Sequence, residues 1–596
     1  MIGGFLVCGK INIVMDVKKE ITLIIKQSLA EFTNEKVCFP RGVNFLVEKP
    51  ENENFGDYSS NIALVLFKNK GLRINDKFKT SMDLAKAISD KLNASSLIPN
   101  PCNRVEAVKP GFINFYLSKN YLFSQLKEIL EKKEKFGSKN EDLNKKVVVE
   151  YSSPNIAKPF TVGHLRSTII GNAIANLLQA NGWKVFRDNH LGDWGTQFGK
   201  QIYAIKTWGD EKKIEDSQNP VKELVALYIK FHAEAEKNPE LEEKAREWFK
   251  KLENGDLEAK RLWRKCVDWS LKEFQVIYEK LGIRFTENNG LGYGEAFFED
   301  KIKDVLLELN DKKLLGKSDG AELIFFQNDK FPPLMITKKD GTTLYSTRDL
   351  ATDKFRLGKY GKDALIINEV GAEQSLYFNQ LFEAEKMLGW VKDGQRIHIK
   401  HGLYRFKDER MSTRKGNTIW LEDVLKEAEK RALSLGSEKD TEIARKVAIG
   451  AIKWNDLKRS SNLDIVFDWD EILNMQGDSG PYIQYAYART QSVLRKTQNT
   501  NFQFPISNFQ LESEELSLLR TICKFSEIVE QAGEKFAPNI LCNYLFDLAQ
   551  KFNLFYQKYK IIGSKEQDSR LSLTKAVGSV IKNGLNLLGI SAPEKM

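Results

Sequence analysis

One stretch limits the folds open to this chain: Glu150 to Gly171, reading EYSSPNIAKPFTVGHLRSTIIG. The run Val147-Val148-Val149 leads into it, short, apolar and β-branched, as a strand buried on both faces of a parallel sheet would be. Ser152 to Phe160 holds two prolines and cannot be regular helix or strand. After Gly163-His164 a helical run extends from Leu165 to about Leu178, with Ile169, Ile170, Ala173 and Leu177 at helical spacing. Strand, loop, glycine and helix start, in that order, turn backbone N–H groups toward a phosphate. Lys158 and His164 stand beside that point. By itself the pattern is equally an ordinary βα turn with a core histidine.

A second loop lies far downstream: Arg410-Met411-Ser412-Thr413-Arg414-Lys415-Gly416, with three cations, two hydroxyls and a closing glycine. The two loops together resemble the HIGH and KMSKS signatures of class I aminoacyl-tRNA synthetases. The wording SSPNIAKPF-x-x-GHLRSTIIG resembles arginyl-tRNA synthetases in particular, and the likeness runs from about residue 15 to the end of the chain.

Length and composition agree with a large soluble enzyme. A chain of 596 residues is too long for one core, so three or four domains are expected. Hydrophobic residues make up 42% and charged residues 29%, and no apolar run is long enough to span a membrane. The first fourteen residues lack the basic start and small-residue cleavage site of a signal peptide, and Met15 opens a cleaner amphipathic run than Met1. Six scattered cysteines without a C-x-x-C pair suggest neither a disulfide framework nor a structural metal, as in a cytoplasmic enzyme. A net charge of +10 fits a polyanionic partner but also an ordinary lysine-rich surface.

The expected fold is multidomain. Residues 15–120 form a small α+β module that includes Gly56-Asp57-Tyr58-Ser59 and the strand GFINFYL, and the charged stretch within 121–146 reads as a linker. Residues 147–420 form a Rossmann-like parallel α/β domain with a helical insertion at about 200–300. In it the sheet resumes with AELIFFQND and a hairpin turning at Lys339-Asp340-Gly341, and RIHIKHGLYRF supplies a last strand. Residues 421–478 are a connecting helical segment, and 479–596 an all-α bundle carrying fourteen Lys/Arg against ten Asp/Glu. In WKVFRDNHLGDWGTQFG, His190 and Asp193 are either a polar pair at a site or turn chemistry. The resemblance implies that the first module touches the tRNA elbow and that the bundle binds the anticodon.

Activation of an amino acid by ATP is driven by positioning and charge neutralisation. Gly163 permits close approach of a nucleotide, His164 donates, and Lys158, Arg410, Arg414 and Lys415 supply charge. Tyr345 and Asp349 lie four apart, so a helical turn puts them on one face; by themselves they are equally an exposed helix start. A guanidinium substrate requires such a carboxylate. The resemblance implies more. Arginine would be held by Glu150, Ser153, Pro154, Asn155, His164, Tyr345, Asp349 and Gln374. ATP, as its Mg2+ complex, would be held by Lys158, Thr161, Gly163, His164, Met411, Ser412 and Thr413, with tRNA(Arg) as the partner and no membrane association. A monomer is the expected state. Thr161 stands where the family has its first histidine, Arg410 replaces the leading lysine of the second signature, and Thr413-Arg414 its internal one. The alternatives are a synthetase for another amino acid or a non-catalytic tRNA-binding relative.

Overall fold

The computed structural model describes residues 17–33, 45–50, 52–68, 78–94, 101–406, 419–435, 440–497 and 511–596. The chain divides into two compact units.

One unit comprises residues 1–136, 497–527 and 550–580. Its N-terminal part runs α1 (Val17–Thr33), β1 (Val47–Glu48), β2 (Tyr58–Ser60), α2 (Ile62–Lys68), α3 (Ser81–Ala94), β3 (Cys102–Val108), β4 (Phe112–Leu117) and α4 (Lys119–Lys132). The strands form an antiparallel sheet in the order β1-β2-β4-β3. The Gly56-Asp57-Tyr58 turn is structural. Gly56 has φ +92°, and a Cβ there would lie 2.7 Å from the Phe115 carbonyl oxygen. Asp57 is buried and accepts from the Leu117 N–H at 2.9 Å, and the Tyr58 hydroxyl donates to Glu527 at 2.9 Å.

The other unit comprises residues 137–496, 528–549 and 581–596. The segment β5 (Asp142–Glu150), α5 (Val162–Ala180), β6 (Trp183–Asp188) forms the expected βαβ crossover. Helices α6 (Gln197–Trp208), α7 (Glu211–Asp216), α8 (Pro220–Lys237), α9 (Glu240–Glu253) and α10 (Leu257–Leu281) follow, then α11 (Ile302–Asp311). Next come β7 (Leu315–Ser318), β8 (Ala321–Ile324) and β9 (Leu334–Thr337), α12 (Tyr345–Tyr360), β10 (Leu365–Gly371), α13 (Ser375–Met387), β11 (Arg396–His401) and β12 (Tyr404–Phe406). The parallel sheet has the order β11-β10-β5-β6. Val147, Val148 and Val149 are fully buried in it, as a strand covered on both faces requires.

Three sequence expectations are corrected here. AELIFFQND does not rejoin the parallel sheet; β8 is the middle strand of a separate antiparallel sheet with β7 and β9. The turn at Lys339-Asp340-Gly341 forms, but its second strand is reduced to the Thr337–Thr343 bridge. Helix α12 starts at once, and its first turn takes over the strand's hydrogen bonding: the Thr347 hydroxyl donates to the Ile336 carbonyl at 2.7 Å, and that of Ser346 to the Met335 carbonyl. RIHIKHGLYRF is likewise two strands. The break falls at Gly402, whose N–H donates to the Ser461 carbonyl, so that β12 pairs with a distant strand instead.

The chain continues through α14 (Leu421–Leu435), α15 (Thr441–Leu457), β13 (Ile465–Phe467), α16 (Trp469–Ile472), α17 (Gly480–Arg495), α18 (Ser513–Cys523), α19 (Phe525–Glu534), α20 (Pro538–Lys558) and α21 (Gln567–Leu587). Its last residues return to the α/β unit. Leu585, Leu588 and Ile590 are buried, the Lys453 ammonium donates to the carbonyls of Leu281 and Gly589, and the Gln484 amide donates to the Ser591 carbonyl.

Candidate active site

The loop between β5 and α5 is held from below by buried hydroxyls. The Ser152 N–H donates to Ser167 Oγ at 2.9 Å, Thr168 Oγ1 to Ser152 Oγ at 2.6 Å, and the Ala157 N–H to Ser270 Oγ at 3.0 Å. These anchors hold Ser152 and Ala157 in the left-handed region, at φ 61° and 56°. Gly171 lets α5 approach β5, since a Cβ there would lie 2.2 Å from that of Tyr151.

Thr161 is the N-cap of α5, and its backbone N–H donates to Nδ1 of His164 at 3.0 Å. That contact requires Nδ1 to accept and leaves the proton on Nε2. Burial, then the charge of Lys158, lowers the imidazole to about 4, so His164 is a neutral donor. Gly163 is exposed, and a Cβ there would meet nothing nearer than Thr161 Oγ1 at 3.4 Å; the glycine leaves room in front of the helix start. Arg410, Met411, Ser412, Thr413, Arg414 and Lys415 lie outside the described residues. The chain re-enters description at 419, and there Trp420 bridges Thr161 and the Leu421 N–H donates to the Phe160 carbonyl at 2.9 Å. Trp420 and Leu421 therefore lie against the first loop.

Beside this helix start is a cavity of about 210 Å³, at the carboxyl ends of β5 and β10, where the strand order reverses. Glu150, Ser153, Asn155, Tyr345, Asp349 and Gln374 all line it. These are six of the eight residues that sequence resemblance assigned to arginine. Pro154 and His164 are not among the lining residues; the Pro154 carbonyl accepts from the Gly192 N–H at 3.2 Å and so fixes the loop.

Glu150 on β5 and Asn368 on β10 line the cavity and are paired neighbours in the sheet, and Asp188 on β6 is next in the same row. Such a row of buried acids needs a cation, which Arg356 of α12 provides. Its guanidinium is buried, pairs with Glu150, and lies 2.9 Å from Asp188 and 3.5 Å from Asp353. Burial would raise the Glu150 carboxyl, but Arg356, with His190 and Asn368, outweighs it and holds it at about 2. Glu150 thus faces the cavity already paired.

Asp349 is different. Its carboxylate accepts from the Tyr377 hydroxyl and lies 3.2 Å from Nε2 of His190, with no arginine or lysine on it among the described residues. Tyr345, one turn earlier, packs edge-on against Tyr377 at 4.9 Å on the cavity rim. Burial raises Glu295, a further lining residue, to about 7, against the pull of His190 and Arg348. Four carboxylates line the cavity against one arginine and one histidine, an environment that selects a cation.

Sequence reasoning left His190 open between site and turn, and it did not find Arg356, Tyr377 or Glu295. Of these only His190 sits in a recognisable motif; the others are ordinary helix and loop residues until the chain folds. Asp193 ties its loop to the segment before α11, accepting from the Ala296 N–H at 2.8 Å.

Known proteins match along the whole chain. Residues 125–469 match the family model for tRNA synthetases class I (R), catalytic domain; 483–596 that of the DALR anticodon binding domain; and 19–117 that of the arginyl tRNA synthetase N terminal domain. The chain is 39% identical to an arginine–tRNA ligase of Halothermothrix orenii, over 98% of this chain and all of the relative. It is 41% identical to one from Streptococcus suis, over 92% and 96%. The crystal structure of arginyl-tRNA synthetase from Plasmodium falciparum superposes with a TM-score of 0.80 at 27% identity, covering 97% of this chain and 99% of that one. Because this kinship runs through all three matched regions and not the catalytic one alone, the chain belongs to the arginyl-tRNA synthetase family.

Proposed function

We propose that the chain is an arginine–tRNA ligase whose carboxylate-lined cavity holds the side chain of L-arginine while the start of α5 holds Mg-ATP. The observation that carries the pocket assignment is convergence: Glu150, Asn155, Asp349 and Gln374, from three separate segments, meet in one cavity in which Asp349 is the lining carboxylate without an arginine among the described residues.

In the first step the arginine carboxylate attacks the α-phosphorus of ATP, forming arginyl-adenylate and releasing pyrophosphate. In the second, the terminal 2′-hydroxyl of tRNA(Arg) attacks the carbonyl and releases AMP. Asp349 pairs with the guanidinium, Tyr345 closes the rim, and Gln374, Ser153 and Asn155 orient the backbone end. His164 donates from Nε2 to a phosphate oxygen, Gly163 leaves space for the nucleotide, and Thr161 offers its hydroxyl. Lys158 and the second loop, with Arg410, Arg414 and Lys415, neutralise the leaving pyrophosphate. Residues 15–120 meet the tRNA elbow and 479–596 its anticodon. Among the described residues no helix is long and apolar enough to cross a membrane; we place the protein in the cytoplasm, as a monomer.

The test is exchange of pyrophosphate into ATP, with each amino acid, with and without tRNA(Arg). Exchange that needs arginine supports the reading. Exchange with another amino acid would reassign the pocket, and none with any would leave a tRNA-binding relative.

A further inference from the structure

His190 is half-buried against the cavity, and the charges that act on it most strongly are acids, with Arg356 and Arg348 lying beyond them on Glu150 and Glu295. Asp349 on α12 is 3.2 Å from its Nε2, Glu150 lies at the end of β5, Glu295 in the loop before α11, and Asp193 in its own loop. The Phe298 ring closes one side, with centroids 5.9 Å apart. Nδ1 is fully buried and has no hydrogen-bond partner among the described residues.

We propose that His190 is a specificity-determining residue: its imidazolium stands in for the substrate's guanidinium against Asp349 while the cavity is empty, and a side chain gains Asp349 only by bringing a replacement charge. This rests on the assignment of the cavity to arginine. The exchange follows from the geometry. Nε2 already holds the oxygen that a guanidinium would take, and two cations on one carboxylate repel. An imidazolium donates from both nitrogens, but Nδ1–H has no acceptor among the described residues, so the proton that leaves is the one on Nδ1 while Nε2–H stays on Asp349. In the empty pocket the surrounding acids hold that proton, and a guanidinium arriving on Asp349 offsets them. A neutral analogue such as citrulline cannot discharge the imidazolium and must bind beside a satisfied ion pair. Burial opposes the charge on His190, but the Asp349 hydrogen bond and the Glu150 and Glu295 charges raise it to about 9, so it is protonated at neutral pH.

Binding of L-arginine should then release a proton. Calorimetric titration of the full chain at about pH 8, in two buffers of different ionisation enthalpy, counts it. At that pH Glu295, at about 7, is already largely ionised, and His190 is still charged. The expected count is about one proton per arginine, with affinity rising up to about tenfold per pH unit from pH 7 to 8.5. His190→Gln keeps a donor near Asp349 without a titratable charge and should bring both the count and the slope close to zero; His190→Asn serves if that variant does not fold. Arginine binding by the parent with no proton release overturns the proposal without any variant. An unchanged count in His190→Gln does so too, and if Asp349→Asn still destroys arginine affinity, the pocket assignment survives that failure. If Asp349→Asn leaves affinity intact, the pocket assignment itself has failed and the proposal with it.

Discussion

Replacing Asp349 by Asn isolates the charge from the shape of the pocket. The amide oxygen still accepts from Tyr377, and His190, without its counter-ion, can lose its proton, so no buried charge is stranded. Stability should change by no more than about 1 kcal/mol. Arginine, however, loses an ionic partner in a mostly desolvated site. Removing one partner of a buried pair costs about 2–5 kcal/mol. The Asp349 side chain is 21% exposed and other carboxylates remain nearby, which places the expected loss near the low end, about 2–3 kcal/mol. At about 1.4 kcal/mol per factor of ten, the KM for arginine should rise about 30- to 150-fold, while that for ATP stays near the parent value. Selectivity over citrulline should fall in parallel, since it is a difference of two binding energies. Exchange kinetics with arginine and citrulline in the presence of tRNA(Arg) measure both. An arginine KM within about threefold of the parent, with selectivity intact, would remove Asp349 from the guanidinium site.

His164→Ala should lower the exchange kcat about 100-fold by removing one donor, with a loss of about 1 kcal/mol in denaturant stability from the emptied N-cap contact. Because His164 is lowered to about 4 in the folded chain, its contribution to stability is fully present above the ordinary histidine pKa and disappears as pH falls through about 4. Denaturant midpoints from pH 7 down to 4 should show a loss that His164→Gln flattens. Gly171→Ala should destabilise by about 1–3 kcal/mol, read as a lower Tm, since its methyl would overlap the buried Tyr151 ring. Deleting residues 585–596 removes the buried Leu585, Leu588 and Ile590, at about 1.5–3 kcal/mol each, and the carbonyl acceptors of Leu587, Gly589, Ser591 and Glu594. The loss rivals the whole stability of a typical domain, so the truncated chain should lose its cooperative melting transition together with exchange activity; an unaltered transition would show the tail to be dispensable.

Local chemistry was legible in the residues. The Val147–Val149 run and the proline-broken loop depend on neighbours in sequence, through β-branching and missing donors, and each is found where the pattern put it. Helix α5, by contrast, starts at Val162, three residues before the Leu165 that the spacing indicated, because Thr161 and His164 cap it. The shared face of Tyr345 and Asp349 follows from helical spacing, which is also local. Strand partnership was not legible. Whether AELI joined the parallel sheet or an antiparallel one, and whether Thr342 to Leu344 completed a hairpin, was decided by competing acceptors that only folding brings near, such as the Ile336 carbonyl taken by Thr347. Charge state lay still further from the sequence. Glu150 and Asp349 are equally acidic as letters; in the fold Arg356 lies on the first, while Tyr377 and His190 hold the second. That difference arises because the strength of a charge in a protein is set by what is buried beside it, and these neighbours come from segments up to about two hundred residues apart, which no window of sequence contains.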